Sequence, residues 1–231
     1  MSGDAVRNPG CHSWNLTPKE AAALQSVLAK KVVTEGKPGI KLVAGVDVHP
    51  AKETGMMQAA ICVLSYPALE LVEQKTALAE ASFPYVPGLL SFREGPAVLA
   101  AFKRLKRQPD IILFDGHGIA HPRRFGLASH MGLLLDIPAI GCAKSRLYGS
   151  CGEPGLHKGN WSYLLDGRGD IIGGCLRTRD NVKPLYVSVG YKVNLDFALN
   201  AVLACCVKHR QPEPLRLAHR AAKGKTVLND R

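Results

Sequence analysis

Hydrophobic residues fall into short runs along the chain, separated by polar, glycine-rich or proline-rich segments. Three successive runs, at residues 41–48, 57–66 and 69–79, have the length and composition of β-strands. Because only short connections join them, we expect an antiparallel meander. The run at residues 111–114 is entirely apolar, which is typical of a central parallel strand, and residues 139–143 predict another strand.

Helices are predicted over much of the remaining chain. Thr17 can cap a helix in which Glu20 completes a capping box, and this helix is expected to extend to about residue 31. Pro96 is expected to open a second helix, at residues 96–107. Further predictions are a short helix at residues 130–136, a hairpin at 161–177 and a last strand at 185–193. A long apolar helix is predicted at 195–208 and a final helical piece at 216–223.

A meander followed by alternating helices and strands predicts an α/β fold. Its mixed sheet would combine antiparallel meander strands with parallel strands, flanked by helices, which is the element order of a ribonuclease H-like fold. The chain has 231 residues, which suits one sizeable domain, and no internal repeat or linker divides it. We therefore expect a single domain over residues 1–231, with residues 224–231 as a flexible tail.

Charge and composition narrow the classes of partner. The chain has 30 Lys and Arg residues against 19 Asp and Glu residues, a formal net charge of +11. This charge is compatible with a soluble protein that is simply basic, and the leading specific interpretation is a nucleic-acid partner, ahead of an anionic membrane. No apolar stretch reaches the roughly 18 residues that a membrane helix needs. The N-terminus lacks the apolar core of a secretory signal, and the seven cysteines include no Cys-x-x-Cys pair. We expect a cytoplasmic protein with reduced cysteines.

Three acidic residues stand out because of where the hydrophobic pattern places them. Asp47 ends the first strand, Asp115 ends the central apolar strand, and Glu94 lies between them in sequence. A carboxylate at the end of a buried strand is held rigidly, and several that converge form an oxygen site suited to Mg²⁺, with Mn²⁺ as a substitute. The structural alternatives are a turn-capping role for Asp47 and an Asx-turn at Asp115.

Glu94 has its own structural alternative, because Ser91 and Glu94 have the spacing of a capping box. A helix that began at Ser91 would place Pro96 in its interior, where the proline ring clashes with the preceding turn. We therefore expect the helix to start at Pro96 and Glu94 to lie free in the loop before it.

Other candidates accompany these acids. Lys144 follows a predicted strand and could contact a phosphate, and His219 lies on a helix where it could contact a phosphate or support a metal ligand; either could also be a surface residue. The stiff segment at residues 84–87 fits a rigid connector or a wedge that enters a duplex and fills the gap left by an extruded base.

Zinc sites are the alternative to an oxygen-ligated metal. The spacing of histidines around Asp115 permits a three-histidine site, although the carboxylates favour Mg²⁺ or Mn²⁺. A mixed cysteine and histidine site is a second arrangement. The two candidate sets are His117 with His121 and His130, and Cys142 with Cys151 and His157.

Several segments resemble the endonuclease V family, over roughly residues 17–223. They are VAGVDV at 43–48, FPYVPGLLSFREGP at 83–96, DGHGIAHPR at 115–123, GLASHMG at 126–132, GCAKS at 141–145 and RLAH at 216–219. The central motifs are long enough to be highly specific. The family is similar in fold to ribonuclease H.

This resemblance implies a DNA-repair endonuclease for deaminated purines. Such an enzyme recognises hypoxanthine (deoxyinosine) and, with Mg²⁺, hydrolyses the second phosphodiester bond on its 3′ side, leaving 3′-hydroxyl and 5′-phosphate ends. By motif match, the metal would be held by Asp47, Asp115 and Glu94, and the catalytic set would be completed by Lys144 and His219. The wedge would be Pro84, Tyr85, Val86 and Pro87, and the pocket for the extruded base would be lined by Gly88, Leu90 and Gly116.

Two alternatives to this function remain open from the sequence. The same chemistry could act on inosine in RNA or on branched DNA, or the chain could be a non-catalytic nucleic-acid binder with the same fold. The intact set of three acids and Lys144 argues against the second alternative. We expect a monomer with no membrane partner.

Overall fold

The structure, a computed structural model, describes residues 12–51 and 54–225, so most of the predicted C-terminal tail lies outside the described residues. Nine strands form one sheet in the order β3-β2-β1-β4-β5-β9-β8-β7-β6. The strands are β1 (Leu42–Pro50), β2 (Met56–Ser65), β3 (Leu71–Glu80), β4 (Ile111–Phe114), β5 (Ala139–Ala143), β6 (Ser150–Cys151), β7 (Trp161–Leu165), β8 (Ile171–Leu176) and β9 (Leu185–Tyr191). The helices are α1 (Pro18–Leu28), α2 (Leu90–Phe102), α3 (Leu127–Leu135), α4 (Leu195–Ala204) and α5 (Glu213–Ala222), with a 3₁₀ turn at Ala29–Lys31.

The strand pairing confirms the predicted mixed sheet. β1, β2 and β3 form the antiparallel meander. β1 pairs with β4, and β4 with β5, in parallel. β9 returns antiparallel to β5, and β8 and β7 continue as an antiparallel hairpin. The three parallel strands thus lie in the centre, where both faces of a sheet are covered.

Helices cover both faces of the sheet. Alternate residues of β1 point to opposite faces, so Val43 packs with α4 and α5 while Ala44 packs with α2 and α3. The capping box predicted at Thr17 and Glu20 is confirmed at the start of α1. Phe83, Leu89 and Phe92 form a smaller cluster with α1, which fixes the segment between β3 and α2 against the body of the protein.

The predicted start of the second helix is wrong. α2 begins at Leu90, Pro96 lies inside it, and Glu94 is therefore a helical residue rather than a loop residue. Ser91 does not form a capping box either, since residue 89 is the N-cap and makes no side-chain cap bond. Phe92 in the first turn is only 1% exposed. Burying a phenylalanine side chain contributes roughly 1.5–3 kcal/mol, which is comparable to the cost of an interior proline.

The other helices form where predicted but with different boundaries. α3 starts at Leu127, three residues before the predicted start, and α4 ends at Ala204 rather than at residue 208. α5 starts at Glu213, three residues before the predicted start, because Pro214 fits the first turn of the helix. Among the described residues, no helix combines the length and apolar character that crossing a membrane requires.

The cysteines depart from the expectation of reduced thiols. Cys151, in the unpredicted two-residue strand β6, forms a disulfide with Cys175 of β8. The proposed zinc set of Cys142, Cys151 and His157 is therefore wrong, since one of its sulfurs is bonded to another residue. Cys142 is itself buried in the core beside β4 and β9.

Candidate active site

The sheet brings two of the predicted acids side by side. β1 and β4 are parallel neighbours with Val46 opposite Phe114, so the next residue of each strand is an aspartate, Asp47 and Asp115. The backbone N–H of Asp115 donates to the Val46 carbonyl at 3.2 Å, which holds the two strand ends together. The pairing of adjacent parallel strands thus explains why residues 68 positions apart in sequence meet in space.

Helix α5 adds a histidine to this pair. His219 donates from Nδ1 to Asp47 Oδ2 at 2.7 Å. One potential ligand atom from each of Asp47, Asp115 and His219 lies within 4.8 Å of the others. The approach of α5 depends on Gly45, because a Cβ there would overlap the backbone of Pro214 at the start of the helix.

Burial and like charge make this cluster electrostatically costly. Asp47 is only 8% exposed, and burial, followed by the Asp115 charge, raises its pKa while the hydrogen bond from His219 lowers it. Burial, followed by the charges of Asp47 and Asp115, raises the pKa of Glu94 to about 8. Three carboxyl groups therefore share a region that favours a positive charge.

The donor set fits a hard divalent cation. Two carboxylates and one imidazole within a few ångströms suit Mg²⁺ or Mn²⁺, which prefer oxygen ligands. Glu94, predicted as a third ligand, is not in the group whose ligand atoms lie within 4.8 Å, although its charge acts on both aspartates. His219 is the third member of this group. The sequence motifs predict a catalytic role for His219 but do not predict it as a direct metal ligand.

Lys144 completes the charged part of the site. It follows β5, the strand next to β4, and its Nζ donates to Asp115 Oδ2 at 2.5 Å. With 39% of its side chain exposed, Lys144 can contact Asp115 and still face a ligand outside the cluster. Lys144 therefore places a fixed positive charge beside the acidic groups.

A cavity of about 360 Å³ lies directly beside these groups. This volume falls in the range of small-ligand pockets, about 300–1,000 Å³. The three residues that the resemblance assigned to a base pocket, Gly88, Leu90 and Gly116, all line it. Asp115 and Lys144 line it as well, so the cavity and the acidic cluster share a wall.

Three of the four residues of the predicted wedge line this cavity, namely Tyr85, Val86 and Pro87. Tyr85 is 72% exposed, whereas Phe83 two residues earlier is 2% exposed and anchors the segment. The Leu89 N–H donates to the Val86 carbonyl at 2.9 Å, and Gly88 has φ +79°, so residues 86–89 form a tight turn that requires glycine. Rigidity and exposure coincide at this tip, as a wedge requires.

Polar side chains that the sequence motifs did not predict to lie together also line the cavity. Gln25, His117 and His121 line it, and Gln25 comes from the distant helix α1. Burial lowers the pKa of His121 to about 4, and its Nε2 donates to the Gly88 carbonyl at 2.8 Å. Burial also lowers the pKa of His117, whose Nε2 bonds the Ser145 carbonyl at 3.0 Å.

The three-histidine zinc site is not formed. His117 and His121 each bond a backbone carbonyl, and His130 bonds the Ser91 hydroxyl at 2.9 Å and His12 at 2.7 Å. In the described part of the chain, the only cluster with metal-ligand spacing is that of Asp47, Asp115 and His219. The carboxylate-based prediction is therefore the one that the geometry supports.

The mixed sheet, with acidic side chains at the ends of its adjacent parallel strands, defines a nuclease of the ribonuclease H-like fold. Comparison with known proteins identifies which nuclease family this is. The Endonuclease V family profile matches residues 25–220. The chain belongs to the endonuclease V family.

Individual relatives match over nearly their whole length. Endonuclease V of Gloeobacter violaceus is 50% identical over 212 residues, which cover 90% of this chain and 86% of that protein. The crystal structure of endonuclease V from Streptomyces avermitilis superposes with a TM-score of 0.87 at 46% identity and covers 92% of this chain and 94% of that one.

A third relative has been solved with a nucleic acid. Endonuclease V of Ciona intestinalis, in complex with a 24mer DNA containing an inosine followed by a ribo-adenosine, superposes with a TM-score of 0.80. It is 29% identical and covers 89% of this chain and 96% of that one.

Proposed function

We propose that this protein recognises hypoxanthine, the base of deoxyinosine, in DNA and hydrolyses the second phosphodiester bond on its 3′ side. The reaction would need Mg²⁺ and leave 3′-hydroxyl and 5′-phosphate ends. The observation that carries this proposal is the shared wall between the acidic cluster and the cavity, to which Asp115 and Lys144 both belong. The inosine-containing DNA bound by the Ciona relative supports the same substrate class.

Recognition begins with removal of the base from the helical stack. Extrusion costs a few kcal/mol, and less at a mispaired or damaged base. The exposed ring of Tyr85, held between Pro84 and Pro87, can stack in the gap and offset part of this cost. The adjacent cavity then receives the extruded base, because its rim includes the same segment.

Discrimination inside the cavity depends on hydrogen-bonding groups. Hypoxanthine has a carbonyl acceptor at position 6, where adenine has an amino donor. A backbone N–H at Gly88 would favour the acceptor without a charged side chain, since glycine allows the backbone to approach a ligand closely, whereas the N–H of Gly116 already donates to the Phe114 carbonyl at 2.8 Å. Leu90 supplies an apolar wall against the ring.

The acidic cluster supplies the hydrolytic part of the site. Asp47, Asp115 and His219 would hold the metal ion, with Glu94 as a nearby acidic partner. A bound Mg²⁺ or Mn²⁺ would polarise the scissile phosphate and favour deprotonation of the attacking water. Lys144 would stabilise the charge that develops on the phosphate oxygens. The bond from His219 to Asp47 orients that carboxylate.

The test is to map the cut on an end-labelled duplex that contains one deoxyinosine, with Mg²⁺ present. We expect a single product that ends one nucleotide beyond the inosine on its 3′ side, with a 3′-hydroxyl. A duplex of the same sequence with deoxyadenosine at that position should remain intact. Absence of incision beside inosine at any protein concentration that binds the duplex would reject the proposal.

Inosine in RNA is a second candidate substrate. The DNA in the Ciona complex contains an inosine followed by a ribo-adenosine, which supports testing substrates that contain ribonucleotides. Matched DNA and RNA strands with the same sequence would decide between the two. A faster rate on RNA would assign the protein to RNA rather than to DNA repair.

A non-catalytic nucleic-acid binder would behave differently from either nuclease. Ca²⁺ in place of Mg²⁺ should permit binding without incision, and identical behaviour in both ions would favour the binder. We also propose that the protein acts as a monomer in the cytoplasm. Gel filtration at the concentrations used for incision checks the first statement, and fractionation of cells checks the second.

A further inference from the structure

The carbonyl of Gly88 accepts hydrogen bonds from three side chains that are far from Gly88 in sequence. Gln25 donates to it at 3.0 Å, Arg123 at 3.0 Å and His121 at 2.8 Å. Gly88 is the third residue of the tight turn that ends the wedge. A carbonyl oxygen has two lone pairs, so three converging donors fix its direction closely.

Gln25 is the centre of this arrangement. Its side chain is only 1% exposed, although it lies on α1, far in sequence from the other groups. Its amide nitrogen donates to the carbonyls of Gly88 at 3.0 Å and Phe125 at 2.9 Å. Its amide oxygen accepts from Arg123 Nε at 2.6 Å. Both ends of the amide are used, so only one orientation satisfies all three partners.

We propose that Gln25 and Arg123 are positioning residues that hold the wedge in the orientation needed to extrude a base. This inference rests on the proposed function. Gln25 lines the cavity, so the same amide connects the cavity wall to the turn that carries Tyr85. Without both Gln25 and Arg123, His121 alone would still donate to the Gly88 carbonyl, and a single donor would hold the turn less firmly.

The mechanism predicts a defect that depends on the substrate. A duplex must be opened by the wedge, whereas a single strand has an unpaired inosine that needs no such opening. Loss of wedge support should therefore reduce incision of the duplex more than incision of the single strand. A general effect on folding or on the metal centre would reduce both equally.

Gln25→Glu is the most informative substitution. Glutamate has nearly the same shape and can still accept from Arg123, but its carboxylate cannot donate to the carbonyls of Gly88 and Phe125. Because a buried group left without its hydrogen bond typically changes an equilibrium by about 10-fold or more, we expect kcat/KM on the inosine duplex to fall by a similar factor. On the inosine single strand, we expect a smaller fall, because Gln25 also lines the cavity but no duplex has to be opened, so the ratio of the two losses is the decisive quantity.

The experiment compares wild type, Gln25→Glu, Arg123→Lys and the control Ser26→Ala on both substrates. Ser26 is an exposed neighbour on α1, so its variant should match wild type. Arg123 is only half-buried, and lysine there loses the paired contacts to Gln25 and Gly88, so this variant decides the question if Gln25→Glu fails to fold. Circular dichroism spectra and melting temperatures establish which variants are folded.

A selective loss on the duplex in a folded variant supports the inference. Equal losses on duplex and single strand, or no loss in either variant, would overturn it while leaving the endonuclease function intact. A wild-type protein that cuts neither inosine substrate would instead overturn the proposed function, and the inference with it.

Discussion

Glu94 provides a sharp test of the electrostatics of the acidic cluster. Its side chain is 9% exposed, and burial together with the charges of Asp47 and Asp115 raises its pKa to about 8. In the unfolded chain, a glutamate titrates near 4.3 to 4.5. Between these values the folded protein keeps a proton that the unfolded chain has released, so stability must fall as the pH rises through this window.

The magnitude follows from the two pKa values. Each pH unit inside the window costs about 1.4 kcal/mol, so at pH 7 the penalty relative to an unperturbed glutamate is about 3.5 kcal/mol. Between pH 6.5 and pH 8, it should grow by about 1.5 kcal/mol. Glu94→Gln removes the titrating group and should therefore flatten this part of the stability profile, with the largest gain over wild type at pH 8.

The assay is urea denaturation of the EDTA-treated protein at pH 6.5, 7.2 and 8. Glu80→Gln, at an exposed position at the end of β3, is the matched control and should keep the wild-type slope. Added Mg²⁺ or Ca²⁺ should stabilise wild type more at pH 8 than at pH 6.5, because a bound cation favours ionised carboxylates. Parallel profiles for wild type and Glu94→Gln over this range would refute the reasoning.

Three further predictions concern other parts of the site. Asp47→Asn and Asp115→Asn should each lower incision by at least about 100-fold, while band-shift assays in Ca²⁺ should show that binding to inosine DNA is retained. Tyr85→Ala should leave the melting temperature nearly unchanged, because the ring is 72% exposed. Loss of stacking should nevertheless slow duplex incision about 10-fold in single-turnover assays. An unchanged rate would exclude a wedge role. Burial lowers the pKa of His121 to about 4, so the free energy of unfolding should fall as the pH drops from about 6.5 towards 4. In urea denaturation between pH 6.5 and 5, His121→Gln should lose less stability than wild type.

The central part of the site could be predicted because it depends on a local pattern. Asp47 and Asp115 each end an apolar run, and apolar runs of strand length become neighbouring central strands in an α/β sheet. Lys144 follows the next parallel strand by the same logic. The hydrophobic pattern thus predicts that these three groups lie at strand ends, and the order of the strands in the sheet brings them together.

Glu94 shows where local rules fail. The proline rule placed it in a loop, because Pro96 is unfavourable inside a helix. The structure extends the helix through Pro96, since Phe92 in the first turn packs with Phe83 and Leu89 against α1. That packing joins parts of the chain that are far apart in sequence, and no local propensity contains it.

The hydrogen bonds of Gln25 were beyond the sequence for the same reason. Nothing in the apolar face of α1 distinguishes this glutamine from a solvated one, and its partners lie 63 and 98 positions away. The disulfide between Cys151 and Cys175 is a similar case, because it depends on the pairing of β7 with both β6 and β8. Side chains with long-range partners require the tertiary structure.

Under the proposed function, the shared wall between the cavity and the acidic cluster would determine where a bound strand is cut. Asp115 and Lys144 belong to both, so the distance from a base in the cavity to the hydrolytic groups is fixed by rigid strand ends. Under the proposed function, a strand whose extruded base occupied the cavity would present the same backbone position to the acids, whatever bases flanked it. Basic side chains can hold that backbone through phosphates, which carry no sequence information. Under the proposed function, the offset between lesion and cut would therefore be a property of the fold, and only the recognised base would need to be read.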